Sequence, residues 1–258
     1  MRYFLCAVLV GTILLAAFAA PTVAQPGITI HPLLQSKTTL TGQPIELPHF
    51  RNQVAAVLME LASGSQTGNM TVLFPSVFYQ LEGTLSLEIP GQDPRTISAG
   101  NAIAAPLRTP FNGANRGATA AKFLAVYFGE QGKPFVERAS GSVAQGLKTT
   151  TVLQTVTTWT GEPIVFPLSA NQFTVLTVEL APGAANARHV HPPTEFIYVL
   201  GGVSSVEPSD HARRTFNPGE AFVETTIPHV GANRGTVGGR ILIVFAGEAG
   251  APLTVPVS

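Results

Sequence analysis

Gly183-Ala-Ala-Asn-Ala-Arg-His189-Val190-His191-Pro192-Pro193-Thr194-Glu195-Phe-Ile-Tyr-Val-Leu-Gly-Gly202 is the stretch whose reading decides the fold. It reads as two β-strands separated by a proline turn, because apolar, branched and aromatic residues flank Pro192-Pro193. Side chains alternate faces along a strand, so His189 and His191 point the same way. A turn at the two prolines lets Glu195 enter the neighbouring strand from that side. Two imidazoles and a carboxylate converging from one face suit a divalent transition metal. A further imidazole is offered later, by His229 in Ile227-Pro228-His229-Val230-Gly231-Ala232-Asn233.

This pattern resembles the cupin superfamily. The first cupin motif is a Gly, five residues, His-x-His, three or four residues, Glu, six residues, Gly. Gly183, His189, His191, Glu195 and Gly202 fit it at every spacing. Gly219, His229 and Asn233 fit the second motif with two departures. Thr225 stands where the motif has Pro, and the Gly219–His229 stretch is one residue short. The resemblance implies an antiparallel β-barrel holding one metal through His189, His191, Glu195 and His229.

The chain also repeats itself, with a period of about half its length after the N-terminal leader, which suits two domains. Thr38-Thr39-Leu40-Thr41-Gly42-Gln43-Pro44-Ile45 matches Thr157-Thr158-Trp159-Thr160-Gly161-Glu162-Pro163-Ile164. Gly113-Ala114-Asn115-Arg116-Gly117 matches Gly231-Ala232-Asn233-Arg234-Gly235. The expected fold is therefore all-β: two tandem cupin (double-stranded β-helix, jelly-roll-like) barrels, a bicupin. The expected division is 25–148 for the first barrel and 149–258 for the second.

The repeat acts as an internal control. His189 falls on Met70, His191 on Val72, Glu195 on Ser76 and His229 on Phe111. The first barrel is expected to have an apolar interior and no metal. Features common to both halves, such as Tyr79 and Tyr198, read as scaffold. Features of the second half alone are the functional candidates: the four ligands, then Arg188, Trp159 and Glu224. Arg188 neighbours a ligand on its strand and should face outward, with the junction of the barrels as one place for it. Trp159 suits either the mouth of the second barrel or that junction. Glu224 precedes His229 by five residues. Facing inward, it is a candidate catalytic base or substrate-binding group; facing outward, a solvated carboxylate. His31, His49 and His211 sit in no motif and read as surface residues.

Composition narrows the function classes. The chain has 258 residues, zero formal net charge and 12% charged residues. No basic patch points to nucleic acid, and the charge balance disfavours capture by an anionic membrane. There is no Gly-x-Ser-x-Gly elbow and no phosphate-binding Gly-rich loop. Arg2, the apolar run from Phe4 to Ala20 and the small residues Thr22-Val23-Ala24 read as a secretory signal peptide spanning 1–24. Cleavage there would remove Cys6, the single cysteine, and leave a secreted or periplasmic protein with no membrane anchor.

Three His and one Glu leave two positions of an octahedron open. Mn or Fe suits such a site best, with Ni, Co, Cu or Zn as alternatives. The expected partner is a small organic substrate, and the first expected reaction is oxidation with dioxygen. Metal-dependent decarboxylation, lyase or isomerase chemistry is the alternative, and non-catalytic binding of a small ligand is a second. Exposed strand edges leave a homo-oligomer open.

Overall fold

A computed structural model describes residues 26–257. The signal-peptide expectation for 1–24 lies outside the described residues. All regular structure among the described residues is β-strand, joined by short turns. The strands form the two barrels expected from the repeat, with three apolar clusters.

The first barrel is organised by one long strand, Asn52–Val72. Its first half pairs with Ala121–Glu130, and its second half pairs with Phe111–Ala114. It therefore bends across both faces of the barrel. In the second barrel the same path is broken. Gln172–Leu180 pairs with Gly239–Gly247, whereas His189–Val190 pairs with His229–Ala232 in a separate five-stranded sheet. The interruption falls at Pro182-Gly183, where proline withdraws a ladder donor and Gly183 takes a positive φ of 79°.

The barrels exchange strands. Ile28–Ser36 pairs antiparallel with Gln172–Leu180 of the second barrel, from Ile28 opposite Leu180 to Ser36 opposite Phe173. Gln145–Thr155 pairs with Asn52–Val72 of the first, with Thr155 opposite Val54. Each leading strand thus covers an edge of the other half's sheet. Residue 148, taken above as the end of the first barrel, lies within the strand Gln145–Thr155.

One apolar cluster lies between the barrels and is built from matching residues of both. Ile45 and Ile164, Leu47 and Phe166, Tyr79 and Tyr198, and Val126 and Val244 are all buried there. The shared Pro-Ile segment and the aligned tyrosines are therefore packing elements. Burying such side chains contributes roughly 1.5–3 kcal/mol each relative to exposure. The shared asparagines are scaffold too. Asn115 Nδ2 donates to the carbonyls of Leu61, Ala62 and Thr119, while Asn233 Nδ2 donates to those of Leu180 and Val237.

The other two clusters fill the barrel interiors. The first barrel buries Met70, Val72, Phe78, Phe111 and Phe123. The second buries Leu176, Val199, Phe216, Phe222 and Ile241 at one side and leaves the other to polar groups.

Candidate metal centre

His189 and His229 lie directly opposite each other on paired strands. His191 shares the face of His189, as strand alternation requires, and Pro192-Pro193 then turn the chain into Thr194–Gly201. Gly202 ends the motif at a φ of 62°, where a Cβ would stand 2.3 Å from the Gly238 carbonyl oxygen. Only glycine fits that close return of the chain.

The three histidines each bring a ligand atom within 4.8 Å of the other two. Each Nδ1 faces a backbone carbonyl: His189 that of Ala187 at 2.7 Å, His191 that of Leu253 at 2.8 Å, and His229 that of Ile227 at 2.8 Å. A carbonyl oxygen only accepts, so Nδ1 carries the proton and Nε2 of the neutral ring presents a lone pair. The three lone pairs point at one another, with 2.8 Å between Nε2 of His189 and Nε2 of His191. Acceptors held this close repel unless a cation or proton lies between them. Fixing Nδ1 on a carbonyl is how proteins orient metal-bound imidazoles.

Glu195 adjoins the group through His191, with Oε2 2.9 Å from Nε2. The residue is 3% exposed, and with His191 neutral its Oε2 has no hydrogen-bond donor, so either a proton on His191 Nε2 or a cation must satisfy it. A buried carboxylate oxygen without a partner is costly. The donor set therefore fits a divalent transition metal: three neutral imidazole nitrogens and an orphaned carboxylate oxygen at one place.

The electrostatics agree. Burial, with the neighbouring His191, pulls the pKa of His189 down to about 4. Burial likewise lowers that of His229. Burial also opposes charge on His191, but the Glu195 carboxylate more than offsets it and raises the pKa to about 8. The site thus attracts positive charge at the point where the rings and carboxylate meet, and a metal ion would supply it.

Glu224 turns inward. It is 6% exposed, and its Oε2 lies 4.0 Å from His229 Nε2. Oε1 accepts from Trp159 Nε1 at 3.0 Å and from the Thr225 backbone N–H at 2.8 Å. Burial first, then repulsion from Glu195, raises its pKa to about 7. Trp159 is accordingly placed in the second barrel, edge-on to Phe216. Thr225, which replaces the motif's proline, accepts from Thr160 Oγ1 at 2.8 Å and also reaches Glu162.

Arg188 faces outward as expected but not toward the junction of the barrels. Its guanidinium donates to Ser209 Oγ and the Pro228 carbonyl of its own barrel. His31 and His211 are exposed, beside Glu179 and Asp210 respectively.

Sequence reasoning missed two contributors. The Thr158-Thr160-Glu162 clamp looked like scaffold because Thr39, Thr41 and Gln43 form the same clamp in the first half. The change from Gln43 to Glu162 was the available signal. The Leu253 carbonyl that orients His191 is a backbone group in a short C-terminal segment, and no side-chain pattern marks it.

A pocket of about 60 Å³ opens beside the site on the side of His191, Glu195 and Glu224. Its walls include Ile164, Val165, Pro193 and Val223.

Comparison with known proteins agrees with this architecture. The cupin domain family matches residues 176–245, a stretch that holds all four proposed ligands. Comparison with curated protein sequences gave no match. Among solved structures, a tryptophan-to-phenylalanine variant of oxalate decarboxylase from Bacillus subtilis is similar, with a TM-score of 0.59 at 15% identity. The alignment covers 91% of this chain and 80% of that one. The coconut allergen cocosin aligns with a TM-score of 0.53 at 12% identity, covering 76% of this chain and 77% of its own. Identity this low establishes the fold alone: two cupin-type barrels in tandem, with the match to the cupin domain family lying in the second barrel, where the histidine triad sits.

Proposed function

We propose that this protein is a metal-dependent enzyme that oxidises a small organic molecule with dioxygen at one divalent ion. His189, His191, His229 and Glu195 would hold the ion. The observation that supports this most is the convergence of three Nε2 lone pairs beside a buried, unpartnered carboxylate oxygen. Mn or Fe suits the mixed nitrogen and oxygen set. A bound ion would polarise the substrate and offer adjacent open positions for it and dioxygen.

The chain's own residues supply the rest. The Ala187, Leu253 and Ile227 carbonyls fix the three rings. Glu224 has Oε1 occupied by two N–H donors and leaves Oε2 as an acceptor for a substrate hydroxyl. That placement suits it to orient the substrate or take its proton. The buried Ile164, Pro193 and Val223 would limit the water around a bound molecule.

A second reading, decarboxylation, is supported by the structural likeness to oxalate decarboxylase, one structure of which is described by its Mn(II) centres. The N-terminal apolar run supports action outside the cytoplasm. The test is anaerobic purification, metal analysis, and paired assays of oxygen uptake and carbon dioxide release against phenols, diketones and carboxylates. One redox-active metal with substrate-dependent oxygen uptake supports the oxidation reading. Carbon dioxide release without oxygen uptake moves the assignment to decarboxylation, and metal-free protein overturns both.

A further inference from the structure

The pocket beside the metal centre is rich in acceptors and poor in donors. No Lys or Arg lies among its lining residues. Glu195 Oε2 lacks a hydrogen-bond partner, and Oε2 of Glu224 makes no hydrogen bond either. The hydroxyls of Thr158 and Thr194 are already donated, to Glu162 and to the Val165 carbonyl. Thr225 likewise contributes its hydroxyl to Glu162.

Apart from the exposed Thr226 hydroxyl at the rim, the walls beside the metal centre offer acceptors, so a ligand that brings its own donor fits them best. Above the raised pKa of Glu224, a ligand carboxylate would meet two carboxylates in a small, partly apolar space, with only the metal to offset the repulsion. Like charges this close in a partly desolvated site repel strongly. An ammonium would match the charges, but the buried Ile164, Pro193 and Val223 would strip part of its hydration. A neutral molecule with a hydroxyl beside a second oxygen avoids both costs. Its two oxygens can approach the metal, and its hydroxyl can donate to Glu224.

Building on the metal-site reading above, we propose that the pocket selects uncharged, hydroxyl-bearing small molecules over carboxylates, and that Glu224 is the selecting residue. The juxtaposition that assigns this role is Glu224 Oε2 facing the metal centre, with Oε1 anchored by Trp159 and Thr225. In Glu224→Gln the amide oxygen can keep both anchors while the amide nitrogen faces the site as a donor. That variant preserves shape and inverts the polarity offered to the ligand.

The test uses Mn(II)-loaded full-length protein and two size-matched probes, hydroxyacetone and glycolate. Binding is read from the fluorescence of Trp159, the only tryptophan, and from the water-proton relaxation of the bound ion. Metal analysis of both proteins comes first. Protein that holds no Mn(II) overturns the metal-site reading itself. With metal bound, the wild type is expected to favour hydroxyacetone at least tenfold, the reverse of a free divalent ion. Glu224→Gln should lower that preference at least tenfold by strengthening glycolate. A wild type that favours glycolate, or a preference unchanged in Glu224→Gln, overturns the substrate class and leaves the metal site standing. Thr226→Lys, which adds a cation at the rim, gives a second reading: glycolate binding should strengthen several-fold, and no change counts against the proposal.

Discussion

Met70 pairs with Phe111 in the first barrel where His189 pairs with His229 in the second. Val72 and Ser76 stand where His191 and Glu195 stand. The strand pairing is the same in the two places, yet one interior is apolar and the other is built for a cation. Around Met70 the volume is filled by Phe78, Phe111 and Phe123. Ser76 keeps a buried hydroxyl without a partner at the position of the carboxylate. The barrel thus tolerates either filling, and four side chains decide which. The difference extends to the strand itself: continuous through Met70 and Val72, but interrupted before His189. Both segments nevertheless make equivalent pairings, Met70–Val72 with Phe111–Ala114 and Val136–Arg138, and His189–Val190 with His229–Ala232 and Val255–Pro256.

The largest expected effect removes the difference from the metal side. On the proposed one-ion site, His229→Ala should bring metal content to near none, measured by elemental analysis of folded protein. Unchanged content would place the metal elsewhere. The next works from the apolar side. Phe111→His puts an imidazole into a packed interior and should destabilise the protein by about 3–5 kcal/mol in denaturant titration. It should add no second metal equivalent, because Met70, Val72 and Ser76 remain; a second bound ion would show that the first barrel retains a latent site. Removing residues 253–258 takes away the carbonyl that orients His191, and metal affinity should fall about 10–100-fold in competition with a chelator. Equal affinity would mean that the ring is held by its other neighbours. The smallest effect belongs to Trp159→Phe, which keeps an aromatic ring against Phe216 but removes the donor to Glu224. It should cost about 1 kcal/mol of stability and leave metal content intact. Loss of metal in this variant would show that Glu224 helps to hold the ion.

Much of this was legible in the chain. The repeat of Thr-Gly-x-Pro-Ile and Gly-Ala-Asn-Arg-Gly marked two copies, because turns and buried asparagines demand particular residues. His189, His191 and His229 were legible because a period-2 pattern and a family spacing coincide. The inward turn of Glu224 was not, since alternation is ambiguous where a strand ends in a loop. The contacts with Trp159 and Thr225 decide it. The strand exchange was equally hidden. Ile28–Ser36 and Gln145–Thr155 read as strands, but their polar and apolar residues suit any sheet edge. Register with a partner far away in sequence leaves no local mark.

That exchange has a bearing on descent. A duplicated half without metal-ligating residues would ordinarily be free to be shed. Here Ile28–Ser36 closes the edge of Gln172–Leu180, and without it the surviving barrel would present a strand of nine residues with one edge unpaired to other proteins. The ligand-free half is thus tied to the half that carries the histidine triad. Trimming the first half would open that edge to pairing with other chains.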